Sequence, residues 1–164
     1  MPEARFATVE ARSGRVIVGR LLPGADLIGG IEEICDHHNV RFAAVNFAYG
    51  SLAEAGFKFL QIPSPGERAV LTPHSLRKRV EFLAGQGLVC EDPDGRRATH
   101  LHGAVSDETG SVTGGHFEKG QNPIYNNLDV TLIELLGVRL VRRFEPETQT
   151  VEMEVEALSE SDAT

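Results

Sequence analysis

The chain of 164 residues lacks several features that would assign it to familiar protein classes. Its two cysteines, Cys35 and Cys90, are too few for a disulfide framework or a cysteine-based metal knuckle, so we expect two reduced and buried thiols. No apolar run approaches the roughly eighteen residues of a membrane-spanning helix. The N-terminus shows no apolar stretch with a small-residue cleavage site, so we expect a cytoplasmic protein.

The sequence also lacks an excess of positive charge. Sixteen lysines and arginines stand against twenty-four acidic residues, and the formal net charge is -8. This charge repels a phosphate backbone at long range, so DNA is not expected as a direct partner. A P-loop, a glycine-rich dinucleotide fingerprint and a Ser-His-Asp order are also missing, which excludes the enzyme classes built on them.

Apolar periodicity predicts one helix among many strands. Over residues 26–38, apolar side chains recur at intervals of three and four, as on the buried face of a helix: Leu27, Ile28, Ile31, Ile34 and Cys35. Alternating segments predict strands over residues 15–22, 41–49, 56–62, 79–89, 97–106, 112–117, 129–136, 138–144 and 151–155. The expected fold is α+β, a mainly antiparallel sheet with one principal helix. We expect one domain over residues 1–157 and a disordered tail over residues 158–164.

Residues 63–76 interrupt this alternation. They contain three prolines and few large apolar side chains, so we predict a long loop with at most one helical turn.

Three histidines form the most informative pattern in the chain. His100 and His102 stand two apart on a predicted strand, so both side chains leave the same face of the sheet. Residues 107–110, Asp-Glu-Thr-Gly, suit a type I turn followed by a glycine in the left-handed region, which would place His102 opposite His116. A two-residue turn would instead point His116 away. The predicted convergence therefore depends on the type of turn.

Such a cluster suits a divalent metal. Directly opposed residues have Cβ atoms about 5 Å apart, and a metal with nitrogen ligands at about 2 Å fits between them. Three imidazoles without a thiolate leave an open fourth position, which favours zinc, with iron, nickel, cobalt or manganese as alternatives. A purely structural metal stays open as well, although structural zinc sites usually have four protein ligands.

The histidines belong to two short motifs, residues 99–103, Thr-His-Leu-His-Gly, and residues 112–120, Val-Thr-Gly-Gly-His-Phe-Glu-Lys-Gly. These motifs resemble those of a known family, the plants and prokaryotes conserved (PPC) domain. Weaker agreement extends over residues 22–27, 50–52 and 79–83, and the resemblance as a whole covers most of residues 14–150.

The resemblance implies a homotrimer of α+β domains. In bacterial and archaeal members it also implies a metal held by three histidines, which correspond here to His100, His102 and His116. Plant members carry an AT-hook for DNA outside this domain, and this sequence shows no such segment. Residues 63–78 depart from the compact family pattern, and we expect them to act as a lid or an added interface.

Two functions are compatible with these features. The first is a metal-dependent enzyme, a hydrolase or lyase, or a small-molecule binder that acts on a small anionic substrate at a trimer interface. Its candidate substrate-binding residues are Arg96, Arg97, Lys119 and Tyr125, with Glu118, His74 and Asn127 as further polar neighbours. The second is a non-catalytic oligomerising or regulatory module of a DNA-binding-protein family, with no strong DNA affinity of its own.

Overall fold

The computed structural model describes residues 5–158, which form ten strands and one helix. In chain order these are β1 (Arg12–Leu21), α1 (Leu27–His37), β2 (Ala43–Leu52), β3 (Ala55–Gln61), β4 (Val70–Leu76), β5 (Val80–Val89), β6 (His100–Ser106), β7 (Val112–Phe117), β8 (Ile124–Leu136), β9 (Val138–Glu145) and β10 (Thr150–Ala157). Eight strands form an antiparallel sheet in the order β1-β8-β2-β5-β6-β7-β3-β4, and β9 pairs with β10 in a second sheet. The predicted α+β class with one helix is confirmed.

The predicted tail falls mostly beyond this part of the chain. Residues 159–164 lie outside the described residues. Leu158 is described, and its N–H donates a hydrogen bond to the carbonyl oxygen of Gly137 at 3.0 Å.

The helix α1 lies within one residue of the predicted bounds. Asp26 precedes it in an extended conformation, and the Asp26 carboxylate accepts a hydrogen bond from the N–H of Gly29 at 2.9 Å, which caps the first turn. Its apolar side packs on the inner face of the large sheet and forms the main core with it. No helix among residues 5–158 is long and apolar enough to cross a membrane.

Alternation along the strands separates an inner face from an outer one. On β6, Leu101 and Val105 are completely buried in the main core, whereas His100 and His102 point to the opposite side. The β9–β10 hairpin stands beside the large sheet and is joined to it through Glu91. The N–H of Glu91 donates to the carbonyl oxygen of Leu140 at 3.0 Å. A second, smaller core fills this junction, with Phe42, Cys90, Val138 and Leu140 at its centre.

Both cysteines behave as the composition predicts. Cys35 lies in the main core and Cys90 in the smaller one, and both are free thiols. Burial raises the pKa of each thiol to about 11, so both stay protonated and unreactive at neutral pH.

The prediction of a continuous loop over residues 63–76 is wrong for its second half. β4 occupies Val70–Leu76 and pairs with β3 along its whole length. Pro73 is unusual in a strand because proline has no backbone N–H to donate. β4 is the last strand of the sheet, however, and an edge strand tolerates proline because the backbone groups on its outer side need no partner strand.

An ion pair holds β1 against β8 where their pairing is irregular. The register shifts between Ser13 and Val16, and Arg15 lies inside this interval. The Glu134 carboxylate accepts hydrogen bonds from the Arg15 backbone N–H at 3.0 Å and from its Nε and Nη2 at 2.8 Å each. These bonds stabilise the charged form and lower the pKa of Glu134 to about 2.

We predict that Glu134→Gln weakens the fold at neutral pH but not in strong acid. Because the pKa of Glu134 is depressed in the folded state, its contribution is present above the ordinary value of 4.5 and is lost as the pH falls towards about 2. The variant should melt about 2–4 °C below the wild type at pH 7, and the gap should close near pH 2. Thermal denaturation at several pH values measures the difference.

The exposed Glu33 provides the matched control, and Glu33→Gln should follow the wild type at every pH. A gap between Glu134→Gln and the wild type that does not change with pH would contradict this role of the ion pair.

Candidate metal centre

The hairpin between β6 and β7 has the turn that the sequence predicts. Gly110 has a φ of 79°, in the left-handed region, and its N–H donates to the carbonyl oxygen of Asp107 at 2.9 Å. The N–H of Asp107 donates in turn to the carbonyl oxygen of Ser111 at 3.1 Å. This three-residue turn sets the register, and His102 lies directly opposite His116.

The three histidines converge on the outer face of the sheet. The Nε2 atoms of His100 and His102 are 2.9 Å apart. One ligand nitrogen from each of the three rings lies within 4.8 Å of the other two. Nitrogen ligands of a tetrahedral zinc ion lie about 3.3 Å apart, so small side-chain rotations would bring all three into coordination. The donor set and its spacing fit a divalent metal.

Glycines allow the strands beside the cluster to approach closely. A Cβ atom at Gly114 would overlap the carbonyl oxygen of Gly103 on β6, and one at Gly115 would overlap the carbonyl oxygen of Lys58 on β3. Any side chain at these positions would push β7 away from a neighbour. The Gly-Gly pair before His116 is therefore required by packing.

The environment keeps the imidazoles uncharged. Burial, followed by the nearby Arg142 and the other two histidines, lowers the pKa of His100 to about 4. Burial and Arg142 also lower the pKa of His102 and of His116. Neutral imidazole is the form that coordinates a metal, so all three rings are ready to bind one at neutral pH.

The carboxylate of Glu118, one of the candidate polar neighbours, lies beside the cluster. Its Oε1 is 3.6 Å from Nε2 of His116 and 3.0 Å from Nζ of Lys58. A carboxylate next to a ligand histidine can fix the orientation of the ring. Lys58 in turn holds Glu118 in place.

A cleft of about 530 Å³ opens over the histidines. Leu60 and Leu71 line it from the β3–β4 hairpin, and Arg142 and Glu152 line it from the β9–β10 hairpin. The cleft is therefore built by the three histidines and by two hairpins from other parts of the chain.

Comparison with known proteins identifies the family. The family description "Plants and Prokaryotes Conserved (PCC) domain" matches residues 8–136. The chain belongs to this family. It is the PPC family that the two histidine motifs indicate, and β9 and β10 lie beyond the matched residues.

Two solved structures share the fold of this PPC-domain chain. A metal-containing protein from Archaeoglobus fulgidus superposes with a TM-score of 0.77 at 22% identity, covering 91% of this chain and 99% of that protein. A plant- and prokaryote-conserved (PPC) protein from Pyrococcus horikoshii superposes with a TM-score of 0.75 at 21% identity, covering 92% and 99%.

A curated relative is much longer. The bifunctional protein GlmU from Synechococcus sp. (strain JA-3-3Ab) is 34% identical over 147 residues, which are 90% of this chain and 21% of the relative. The chain thus spans about a fifth of the length of the curated relatives it matches.

The structure does not bring the four predicted substrate-binding residues to the cleft, which is lined by other side chains. Arg96 pairs with Asp94 inside the turn before β6, at 2.9 Å. Arg97 reaches the end of α1, where its Nη2 lies 2.6 Å from the carboxylate of Asp36. Both residues come shortly before His100 in the sequence, but their side chains do not line the cleft.

Lys119 and Tyr125 also have other partners. Lys119 pairs with the buried Glu32 of α1, because the chain turns away from the outer face after β7. The ring of Tyr125 lies 4.3 Å from the guanidinium of Arg79, in a separate cavity.

Arg142 and Lys58 are the basic residues that do line the cleft, and neither was among the predicted site residues. They lie on β9 and β3, far along the chain from the histidines. Neither belongs to a motif, so no local sequence signal could have identified them.

We predict that Gly115→Ala destabilises the fold by about 2 kcal/mol or more, because the added Cβ would overlap the backbone of β3. Gly29→Ala is the matched control, since a Cβ there meets only Asp26 at an ordinary distance of 3.4 Å. In the first turn of α1, this change should be neutral or slightly stabilising. Urea denaturation measures both, and wild-type stability of Gly115→Ala would refute the packing argument.

Proposed function

We propose that this chain is a zinc-binding PPC-domain protein, a metal-dependent hydrolase or lyase or a small-molecule binder, that acts on a small anionic substrate at the interface of a homotrimer. The convergence of His100, His102 and His116 at the floor of an open cleft carries this proposal. A cluster of neutral imidazoles on the face opposite the core has no packing role that would account for it.

The donor set favours zinc over the alternatives. It offers three nitrogens and no thiolate, and it leaves room for a further ligand from the cleft side, as in catalytic rather than structural zinc sites. Iron, nickel, cobalt and manganese accept the same donors. The Archaeoglobus fulgidus protein of the same fold is described as metal-containing, which supports the same use of the cluster here.

Zinc supplies Lewis acidity, which activates water or polarises a carbonyl group. The residues of the chain would have three tasks around it. The histidines would provide neutral ligands, Glu118 would place a negative charge beside His116, and Leu60 and Leu71 would give one side of the cleft an apolar lining.

The homotrimer is supported by apolar side chains on the same outer face. Phe47 and Tyr49 on β2 stack at 5.8 Å between ring centroids, and 40% and 49% of their surfaces are exposed. Val16 and Val18 on β1, which is separated from β2 by β8, are exposed to 64% and 77%. An apolar area of this kind on one face of a sheet is typical of an interface with another chain.

The first test is elemental analysis of protein purified without a histidine tag. We expect about one metal ion per chain in the wild type and none in His102→Ala. The matched control is His37→Ala, which removes an exposed histidine at the end of α1 and should keep the metal. Circular dichroism verifies that each variant is folded.

Absence of metal from the folded wild type would refute the zinc proposal. The second function, a non-catalytic oligomerising or regulatory module, would then describe the chain better.

The second test concerns assembly. Light scattering should give a mass of three chains of 17.8 kDa each for the wild type. Phe47→Glu places a charge in the apolar area and should dissociate the trimer. Phe144→Glu, at a more exposed phenylalanine (63% against 40%) on the β9–β10 sheet, should not. A wild-type monomer, or a Phe47→Glu variant that stays trimeric, would contradict the proposed interface.

A further inference from the structure

One arginine in the wall of the cleft lacks the partners that the neighbouring arginine has. Nη2 of Arg142 donates a hydrogen bond to the carbonyl oxygen of Val151 at 3.0 Å, but its Nε is buried and has no hydrogen-bond partner. Arg143, one residue further on, pairs with Glu154 and Glu156. Among the described residues, no carboxylate forms an ion pair with Arg142.

This arrangement is unfavourable for the protein alone. Burial removes water from the Arg142 guanidinium and lowers its pKa, which is the direction expected for a cation without a close counter-ion. A buried charge and a buried N–H without an acceptor both oppose folding unless something compensates them. Among the described residues, the half-buried guanidinium of Arg142 therefore has no carboxylate partner to offset this cost.

The two nearby carboxylates are already engaged. Glu118 forms its ion pair with Lys58 at 3.0 Å. Glu152 lines the same cleft, but its Oε1 accepts a hydrogen bond from the hydroxyl of Thr150. Both act on Arg142 only at longer range.

We propose that Arg142 binds the carboxylate or phosphate group of a small ligand that occupies the cleft over the three histidines. This inference rests on the proposed function, and it assigns the recognition of the anion to a residue of the β9–β10 hairpin. A guanidinium presents parallel N–H groups that match two oxygens of either group. A cleft of about 530 Å³ has the size of a small-molecule site.

Arg142 and the three histidines lie in different parts of the chain. Arg142 lies beyond residue 136, where the match to the family ends, whereas all three histidines lie within the match. The metal ligands and the anion-binding residue therefore come from different parts of the chain, and a variant can remove one without the other.

Calorimetric titration tests the inference, with inorganic phosphate and acetate as separate probes and with both zinc-loaded and metal-free protein. We expect at least one probe to bind the wild type and Arg143→Gln with equal affinity. Binding to Arg142→Gln should be about tenfold weaker or more, because a charge-assisted hydrogen bond is lost. The probe that binds more tightly identifies the anionic group. Zinc content should be the same in all three proteins.

Thermal unfolding distinguishes an anion-binding arginine from one that only stabilises the fold. Without added anion, Arg142→Gln should melt at the wild-type temperature or above it, since the variant removes a half-buried charge that has no carboxylate partner among the described residues, together with a buried, unpaired N–H. The better probe should raise the melting temperature of the wild type more than that of Arg142→Gln.

Failure of the inference and failure of the proposed function are distinguishable. Equal affinity of Arg142→Gln and the wild type, no binding of either probe, or a large loss of stability in Arg142→Gln would overturn the role of Arg142. Absence of zinc would refute the proposed function alone, because titration of the metal-free protein still reports on Arg142.

Discussion

The register of the β6–β7 hairpin is the constraint on which the candidate site depends. A slip by one residue moves every side chain of a strand to the other face of the sheet. It would turn His116 into the core and expose Phe117, which is now buried. The left-handed Gly110 and the bond between Asp107 and Ser111 prevent this slip by fixing the turn. A short turn thus decides whether the chain has three converging histidines.

The parts of the structure that depend on local chemistry could be predicted from the sequence. Helix α1 follows from apolar spacing and its Asp26 cap, and the pairing of His102 with His116 follows from turn residues and alternation. The parts that depend on the order of strands could not. β4 is compatible with Pro73 only because it lies at the edge, and Arg142 reaches the histidines only because β9 crosses beside the sheet.

Charge is distributed unevenly around the site. The chain has a formal net charge of -8, yet Arg142 and Lys58 face a cleft whose histidines are uncharged and whose carboxylates are engaged. The overall charge repels a polyanion at long range, whereas a small anion inside the cleft would meet Arg142 and Lys58 at close range. The two effects act over different distances, so they do not conflict.

The motif around β7 combines two independent constraints. Gly114 and Gly115 satisfy the close spacing between strands, whereas His116 offers a candidate ligand nitrogen for a metal. The requirement of the fold and that of the candidate metal site therefore fall on different residues of one short motif. A relative that no longer used the metal would be free to lose its histidines but would still have to keep the two glycines.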